Sequence, residues 1–456
     1  MLPEPATLAP PVRTTHTGYL LGITLVAALG GLLFGFDTAV IAGTIPFITQ
    51  YFGLSEAMLG WAVSSMLLGC MAGTLVAGSL ADRYGRKPVL IGTAVFFFIS
   101  AVGSAVPTTL TTFVAARMLG GLAVGTASML SPVYIAEVAP AHLRGRLVSL
   151  YQLAIVIGIQ ASFFSNYALV DTGVDNWRWM FGVEAVPAVA FLFALLFVPE
   201  TPRFLAKRGR TEEALVVLAR TRPADEAQAE LAAITSVLQD PTAQRLSDLR
   251  APRLRPILVI GIVLAVLQQV TGINTVMYYA PLIFAQTGAS VDSALLQTVA
   301  VGGVNLLFTF VAIYLIDRIG RRPLMLAGSA LMGVSLAGLS AAFFLDAFQG
   351  PLVLLLVLAY IASFAASLGP VVWVIISEIF PTRVRGAAVA VATFVLWTAC
   401  FVVSLTFPWL LAHLGGAGTF LLFAVLCAVT YVFVWRRLPE TRNKSLETLE
   451  RELVGT

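Results

Sequence analysis

Charge is scarce in this chain. Lys and Arg number 28 and Asp and Glu 24 among 456 residues, or 11% charged, against roughly 25% in soluble domains. With 58% hydrophobic residues, a soluble globular protein is excluded and a polytopic membrane protein is implied, with the bilayer as its solvent. Cysteine is also sparse: Cys70, Cys400 and Cys427 are odd in number, lack metal spacing and lie in apolar runs, so they read as packing residues. His16, His142 and His413 are scattered, and no zinc, phosphate-loop, nucleophile-elbow or dinucleotide signature occurs. A metal site, a cofactor and ATP-driven or hydrolytic chemistry are unsupported, and the expectation is that the protein is not an enzyme. The opening residues Met1 to Gly18 lack a basic region followed by a short apolar one, so no removable signal peptide is expected.

What is present is a series of long apolar runs. Segments able to cross a bilayer, about 20 residues each, fall near 19–49, 57–80, 88–107, 112–135, 147–169 and 179–198, and again near 255–286, 294–316, 323–346, 351–377, 386–409 and 416–435. The fold class expected is an all-α membrane protein of twelve transmembrane helices in two six-helix bundles. The domain map is a tail over 1–18, bundles over 19–198 and 255–437, a polar linker with short helices over 199–254, and a second tail over 438–456. Basic residues crowd alternate loops: Arg83, Arg86 and Lys87; Arg144 and Arg146; Arg318, Arg321 and Arg322; Arg383 and Arg385. By the positive-inside rule those loops, the linker and both termini are cytoplasmic, in an inner (plasma) membrane. The basic balance therefore needs no nucleic-acid partner.

The halves repeat their punctuation. GSLADRYGRK, Gly78 to Lys87, is answered by DRIGRR, Asp317 to Arg322; EVAPAHLRG, Glu137 to Gly145, by EIFPTRVRG, Glu378 to Gly386; and Pro-Glu-Thr at 199–201 by the same triplet at 439–441. Three signatures in the same order imply two pseudo-symmetric bundles. Their ends are expected to be tied by ion pairs among Asp82, Arg83, Arg86, Glu137 and Arg144, and among Asp317, Arg318, Arg321, Glu378 and Arg385, a conformational latch that holds one state and breaks in another.

One residue stands apart. Asp37 lies in the middle of the first apolar run, where a charge costs roughly 2.5 to 3.5 kcal/mol or more, so it must pair, line a cavity, or carry a proton or ion. Arg117 is the basic residue that falls clearly inside a span, the fourth, and is its candidate partner.

The motifs GxxxDRxGRK at 78–87, PVYIAEVAPAHLRG ending at Gly145, PETPR at 199–203, QQVTGIN at 268–274 and PVVWVIISEIFP at 370–381 resemble the sugar porter family of the major facilitator superfamily over nearly all of residues 19–445. The resemblance implies the major facilitator fold and an alternating-access carrier with a site between the bundles. It also implies a small neutral sugar as partner and protons as the coupling ion, since proton symporters of the family carry Asp where facilitators carry Asn at position 37. Ionised Asp37 would pair with Arg117, and protonation would release the pair.

A sugar's hydroxyls both donate and accept, as amides do, and Gln268, Gln269 and Asn274 supply three amides within two turns, with Gly272 loosening the helix between them. Taken alone, such amides serve interhelical hydrogen bonding equally well; the resemblance assigns them to sugar. It adds Gln152 and Trp373 as sugar contacts, and, more weakly, Phe34, Asn305, Tyr278, Tyr279, Gly369 and Trp397, with Gln160 ranked below Gln152. Leu396 and Cys400 replace amides found in relatives, and Ile159 stands where the xylose symporters have a second Gln, which leaves hexose, pentose and polyol open. The expected function is proton-coupled monosaccharide symport by a carrier working as a monomer. The alternatives are a facilitative uniporter, a non-transporting sugar sensor and a polyol carrier.

Overall fold

The computed structural model describes residues 17–238, 254–348, 350–380 and 385–442, and among them every regular element is helical. Five long helices come first: α1 (Thr17–Phe52), α2 (Glu56–Tyr84), α3 (Arg86–Ala105), α4 (Leu110–Val138) and α5 (Arg144–Leu169). The sixth crossing is divided into α6 (Asn176–Gly182) and α7 (Ala185–Leu196), and three short helices follow: α8 (Pro202–Lys207), α9 (Thr211–Ala219) and α10 (Ala224–Leu238). The second half comprises α11 (Arg255–Val270), α12 (Ile273–Ala285), α13 (Val291–Ile319), α14 (Arg321–Phe344), α15 (Leu352–Ala365), α16 (Leu368–Ile379) and α17 (Arg385–Arg437). Most of the expected terminal tails, 1–16 and 443–456, lie outside the described residues, as do 239–253 of the linker and Arg383.

Eleven apolar helical stretches are long enough to cross a membrane. The last one makes two crossings. α17 has 53 residues, about 80 Å at 1.5 Å per residue, whereas the apolar core of a bilayer is about 30 Å thick. Gly415, with φ 66° and ψ 178°, takes a backbone conformation that a Cβ forbids and turns the chain back there. Twelve crossings result, arranged as two six-helix bundles.

Three crossings are broken, each for a legible reason. Pro187 cannot donate to Val183 and its ring crowds that carbonyl, so the chain between α6 and α7 falls back on a shorter bond, Glu184 N–H to the Phe181 carbonyl at 3.2 Å. Pro370 does the same to Ala366, and Ser367 N–H turns to the Phe364 carbonyl at 3.0 Å. Between α11 and α12 the break is Gly272 itself, left-handed at φ 92°. Expected as single spans at 179–198, 255–286 and 351–377, these are half-helices, and each break falls among buried polar side chains.

Within the first bundle α2 and α4 meet backbone to backbone. Gly69 and Gly73 of α2 face Gly121 and Gly125 of α4, and a Cβ on any of the four would strike main-chain atoms of the opposite helix. This paired small-residue spacing lets van der Waals contact hold helices together where the hydrophobic effect gives no drive. Between bundles, Gly60 lies against the Leu405 carbonyl and Trp61 edge-on to Phe401 at 6.5 Å near the ends remote from the basic motifs, while Thr398 Oγ1 donates to Met71 Sδ at 3.1 Å and Gly302 of α13 sits under Gln160 and Phe163 of α5 nearer mid-span. Among the described residues no ion pair joins the two bundles.

Gly121→Ala should lower stability by about 1–3 kcal/mol through overpacking, read as a fall in melting temperature of the purified protein. Gly92→Ala, where a Cβ meets nothing within 4 Å, should leave it unchanged. Equal melting temperatures for the two variants would remove the glycine seam as a source of stability.

Candidate functional site

A charged cluster sits inside the first bundle. Asp37 of α1 and Arg117 of α4 are 0% and 1% exposed. Arg117 Nη1 donates to Asp37 Oδ1, and Nη2 donates to the Asp37 carbonyl at 2.8 Å and to Met66 Sδ of α2 at 2.8 Å. The guanidinium also lies over the Phe181 ring of α6, 5.3 Å from its centroid. The second carboxylate oxygen, Oδ2, lies beside Gly120, as does the Ser100 hydroxyl of α3, and has no hydrogen bond. Five helices thus converge on one pair.

The cluster holds a further acid that is absent from the sequence candidates. Glu184, in the break between α6 and α7, is 0% exposed, and neither carboxylate oxygen has a hydrogen-bond partner. It lies within electrostatic reach of both Asp37 and Arg117. Its signal is the one that singles out Asp37, an acid within an apolar run. Two buried carboxylates within reach of one guanidinium leave an excess negative charge unless a proton is bound, so the arrangement has the chemistry to take up and release one. Among the described residues the second bundle buries no charged side chain.

That second bundle holds the amides. Gln268 Nε2 donates to the carbonyls of Leu368 and Gly369 at 2.9 and 3.2 Å, bridging the break in the seventh crossing to the break in the tenth. Gln269 Nε2 donates to Gln268 Oε1 at 3.4 Å, and Asn274 Nδ2 donates to Gln269 Oε1 at 2.6 Å and to Cys400 Sγ at 3.2 Å. Tyr360 of α15 donates to the Thr271 carbonyl at 3.0 Å. The three amides therefore converge as their spacing implies, but as a directed relay that uses several of their donors internally.

The remaining candidates divide. Phe34 and Trp397 meet across the bundles with ring centroids 5.8 Å apart, and the Trp397 indole N–H is buried without a partner. Gln152 is half-buried on α5, Asn305 is buried on α13 and Trp373 is 36% exposed on α16. Gln160 Oε1 is buried and unpartnered against Gly302. Tyr278 contacts Cys400, and Leu396 and Cys400 are both buried. Tyr279 departs from its expected role: it is fully buried on Phe407, and its hydroxyl is committed to the Ser404 carbonyl at 3.0 Å. The kink ahead of Pro281 turns it toward α17 and away from open space.

At the basic ends the ion pairs of the repeat are preserved. Arg86 pairs with Asp82 at 3.3 Å and Glu137 at 3.0 Å; Arg321 pairs with Asp317 at 3.1 Å and Glu378 at 3.0 Å. The other expected members do not join. Arg83 lies over Tyr84 and Arg318 over Tyr314, because each follows its Asp by one position and faces another side of the helix. Arg144 misses Glu137: α4 stops at Val138, Pro140 turns the chain, and Arg144 donates to the Ala136 carbonyl at 3.0 Å and pairs with Glu230 of α10 at 3.7 Å. Glu230 also pairs with Arg222 at 3.4 Å, and desolvation holds that guanidinium below its ordinary range while Glu230 opposes the shift. The side chain of Arg385 lies outside the described residues.

The triplet glutamates are a second omission. Glu200 accepts the backbone N–H groups of Arg86 and Lys87, both at 3.1 Å, and Glu440 those of Arg321 and Arg322, both at 3.0 Å. Each carboxylate caps a helix N-terminus, where free N–H groups and the macrodipole favour an anion.

Residues 23–453 match the profile of the family described as Sugar (and other) transporter. The chain is 41% identical over 448 residues to the arabinose-proton symporter of Bacillus subtilis, covering 97% of each chain. It is 42% identical over 475 residues to the D-xylose-proton symporter of Escherichia coli, covering 95% of this chain and 96% of that one. Among solved structures it resembles the partially occluded inward-open conformation of the E. coli xylose transporter XylE, with TM-score 0.85 and 39% identity over 94% of this chain and 100% of that one.

Arg117→Ala strands two buried carboxylates and should destabilise the protein by about 3–5 kcal/mol. Combining Asp37→Asn with Arg117→Met, which removes both charges of the pair, should recover part of that loss. Melting temperatures of the purified variants decide it, and an Arg117→Ala protein as stable as the parent would refute the stabilising role of the pair.

Proposed function

We propose a function from one premise: the chain belongs to the sugar (and other) transporter family, given its profile match over residues 23–453 and its identity of 41% and 42% to two relatives over nearly the whole chain. It is a secondary active carrier that moves a monosaccharide, hexose or pentose, together with protons by alternating access. The observation that carries the coupling is the buried cluster of Asp37, Arg117 and Glu184. A proton arriving at a carboxylate weakens its hold on Arg117, and the contact between α1 and α4 is then free to change with the bundles. The names of the two relatives, symporters for arabinose and xylose with protons, support this reading.

The substrate is a small neutral polyhydroxylated solute. The bonds of the relay leave Asn274 Oδ1 as an acceptor and one N–H of Gln269 as a donor, the two functions that a sugar hydroxyl needs. Gln152, Trp373, Phe34, Trp397 and Asn305 complete the site, with Gln268 and Gly369 anchoring the relay. The basic ends face the cytoplasm, with both termini there, in the inner membrane, and the carrier works as a monomer. The likeness to the partially occluded inward-open conformation of XylE, at TM-score 0.85, supports a state whose cytoplasmic side is open. Arg86–Glu137 and Arg321–Glu378 form the core of a latch within each bundle.

The deciding experiment is uptake of a panel of labelled sugars into proteoliposomes with and without an imposed proton gradient. One or more monosaccharides should accumulate uphill only with the gradient. Asp37→Asn should lose that accumulation while retaining sugar exchange. Gradient-independent equilibration by the parent protein would mark a uniporter, and accumulation by the variant would remove Asp37 from coupling.

A further inference from the structure

The basic ends of the two repeats match closely, and one contact is present in only one of them. In the second repeat both oxygens of Glu378 are engaged: Oε1 accepts from Arg321 at 3.0 Å and Oε2 accepts the Thr441 hydroxyl at 2.6 Å. In the first repeat Glu137 Oε1 accepts from Arg86 at 3.0 Å, but Oε2 is buried with no partner. The Thr201 hydroxyl, which occupies the place of Thr441, is also buried with no partner. Thr201 precedes α8, yet its side chain makes no capping bond there. A desolvated donor and a desolvated acceptor, left apart where the repeat joins them, are individually unfavourable.

The local backbone accounts for the separation. Thr201 donates its N–H to Glu200 Oε1 at 2.7 Å, whereas in the second repeat Glu440 Oε1 takes the N–H one residue later, from Arg442, at 2.9 Å. The triplet is thus wound more tightly round its glutamate in the first repeat. Beside Glu137 lies a cleft of about 410 Å³ lined by Arg144, Arg203 and Glu230, so the carboxylate has room to turn.

We propose that Thr201 is a two-state contact: its hydroxyl donates to Glu137 Oε2 when the basic ends of the bundles close together, and is released in the state described here, in which both groups lack a partner. Thr441 stays on Glu378 in both states. Thr201 is then a positioning residue that favours the closed state alone. The proposal rests on the alternating-access reading.

The test is the ratio of closed to open forms in nanodiscs, read from spin-label distances between the basic ends of the two bundles. Thr201→Val and the less bulky Thr201→Ala should each lower that ratio about tenfold, the order expected for a hydrogen bond to a carboxylate. Thr201→Ser should restore it, and Thr441→Val should lower the melting temperature without moving the ratio. If the parent protein populates both forms and neither hydroxyl-free variant shifts their ratio, the two-state contact is wrong. A parent protein with one distance, whatever sugar or pH is supplied, overturns the alternating-access reading first and this inference with it.

Discussion

A guanidinium and a carboxylate that neither water nor lipid can solvate constrain most of the first bundle. Arg117 cannot leave Asp37 without finding another acceptor, and the interior offers the Asp37 carbonyl, the Met66 sulfur and the Phe181 face. Each belongs to a helix that must come close, which is why glycines rather than larger residues line the α2–α4 seam and why Gly120 leaves space beside Asp37. Breaking such a pair on one side is far more costly than never having formed it. The energetics and the proposed coupling therefore rest on the same few atoms.

The polar chemistry elsewhere depends on interrupted helices. Pro187, Gly272 and Pro370 each free backbone groups at depth, and the structure answers each with a buried polar side chain or a shortened turn. The Gln268 amide meets two carbonyls at the tenth-crossing break, and Tyr360 meets the carbonyl at the seventh. Irregular backbone is tolerated at membrane depth only where protein or a cavity satisfies it. The breaks and the amides consequently belong together, and movement at one reaches the other through directed hydrogen bonds.

Hydropathy made the crossings legible, since apolar runs of about 20 residues have few other readings. Even the turn at Gly415, which leaves almost no loop, fell between the expected spans 386–409 and 416–435. Asp37 was legible because it contrasts with its neighbours, and the amides because their spacing is compact. Glu184 escaped although the same contrast applied, since the charged groups within its reach, Asp37 and Arg117, come from α1 and α4, far off in sequence. Contacts such as Glu200 with the start of α3, more than a hundred positions away, leave no local trace. Arg144 illustrates the opposite error: the repeated motif suggested a pair with Glu137, but Pro140 turns the chain between them and carries Arg144 to α10 instead.

The two bundles share one scaffold yet differ in what they bury, with acids and a base in the first and only neutral polar groups in the described part of the second. A duplicated architecture has in this way been divided between two trades. On the proposed reading, variation at the charged cluster would bear on coupling while leaving the amide relay intact, and variation around Cys400 and Leu396 would bear on the substrate without disturbing the ionic centre. Such separability means that a change in one bundle's polar interior need not be matched by a change in the other's.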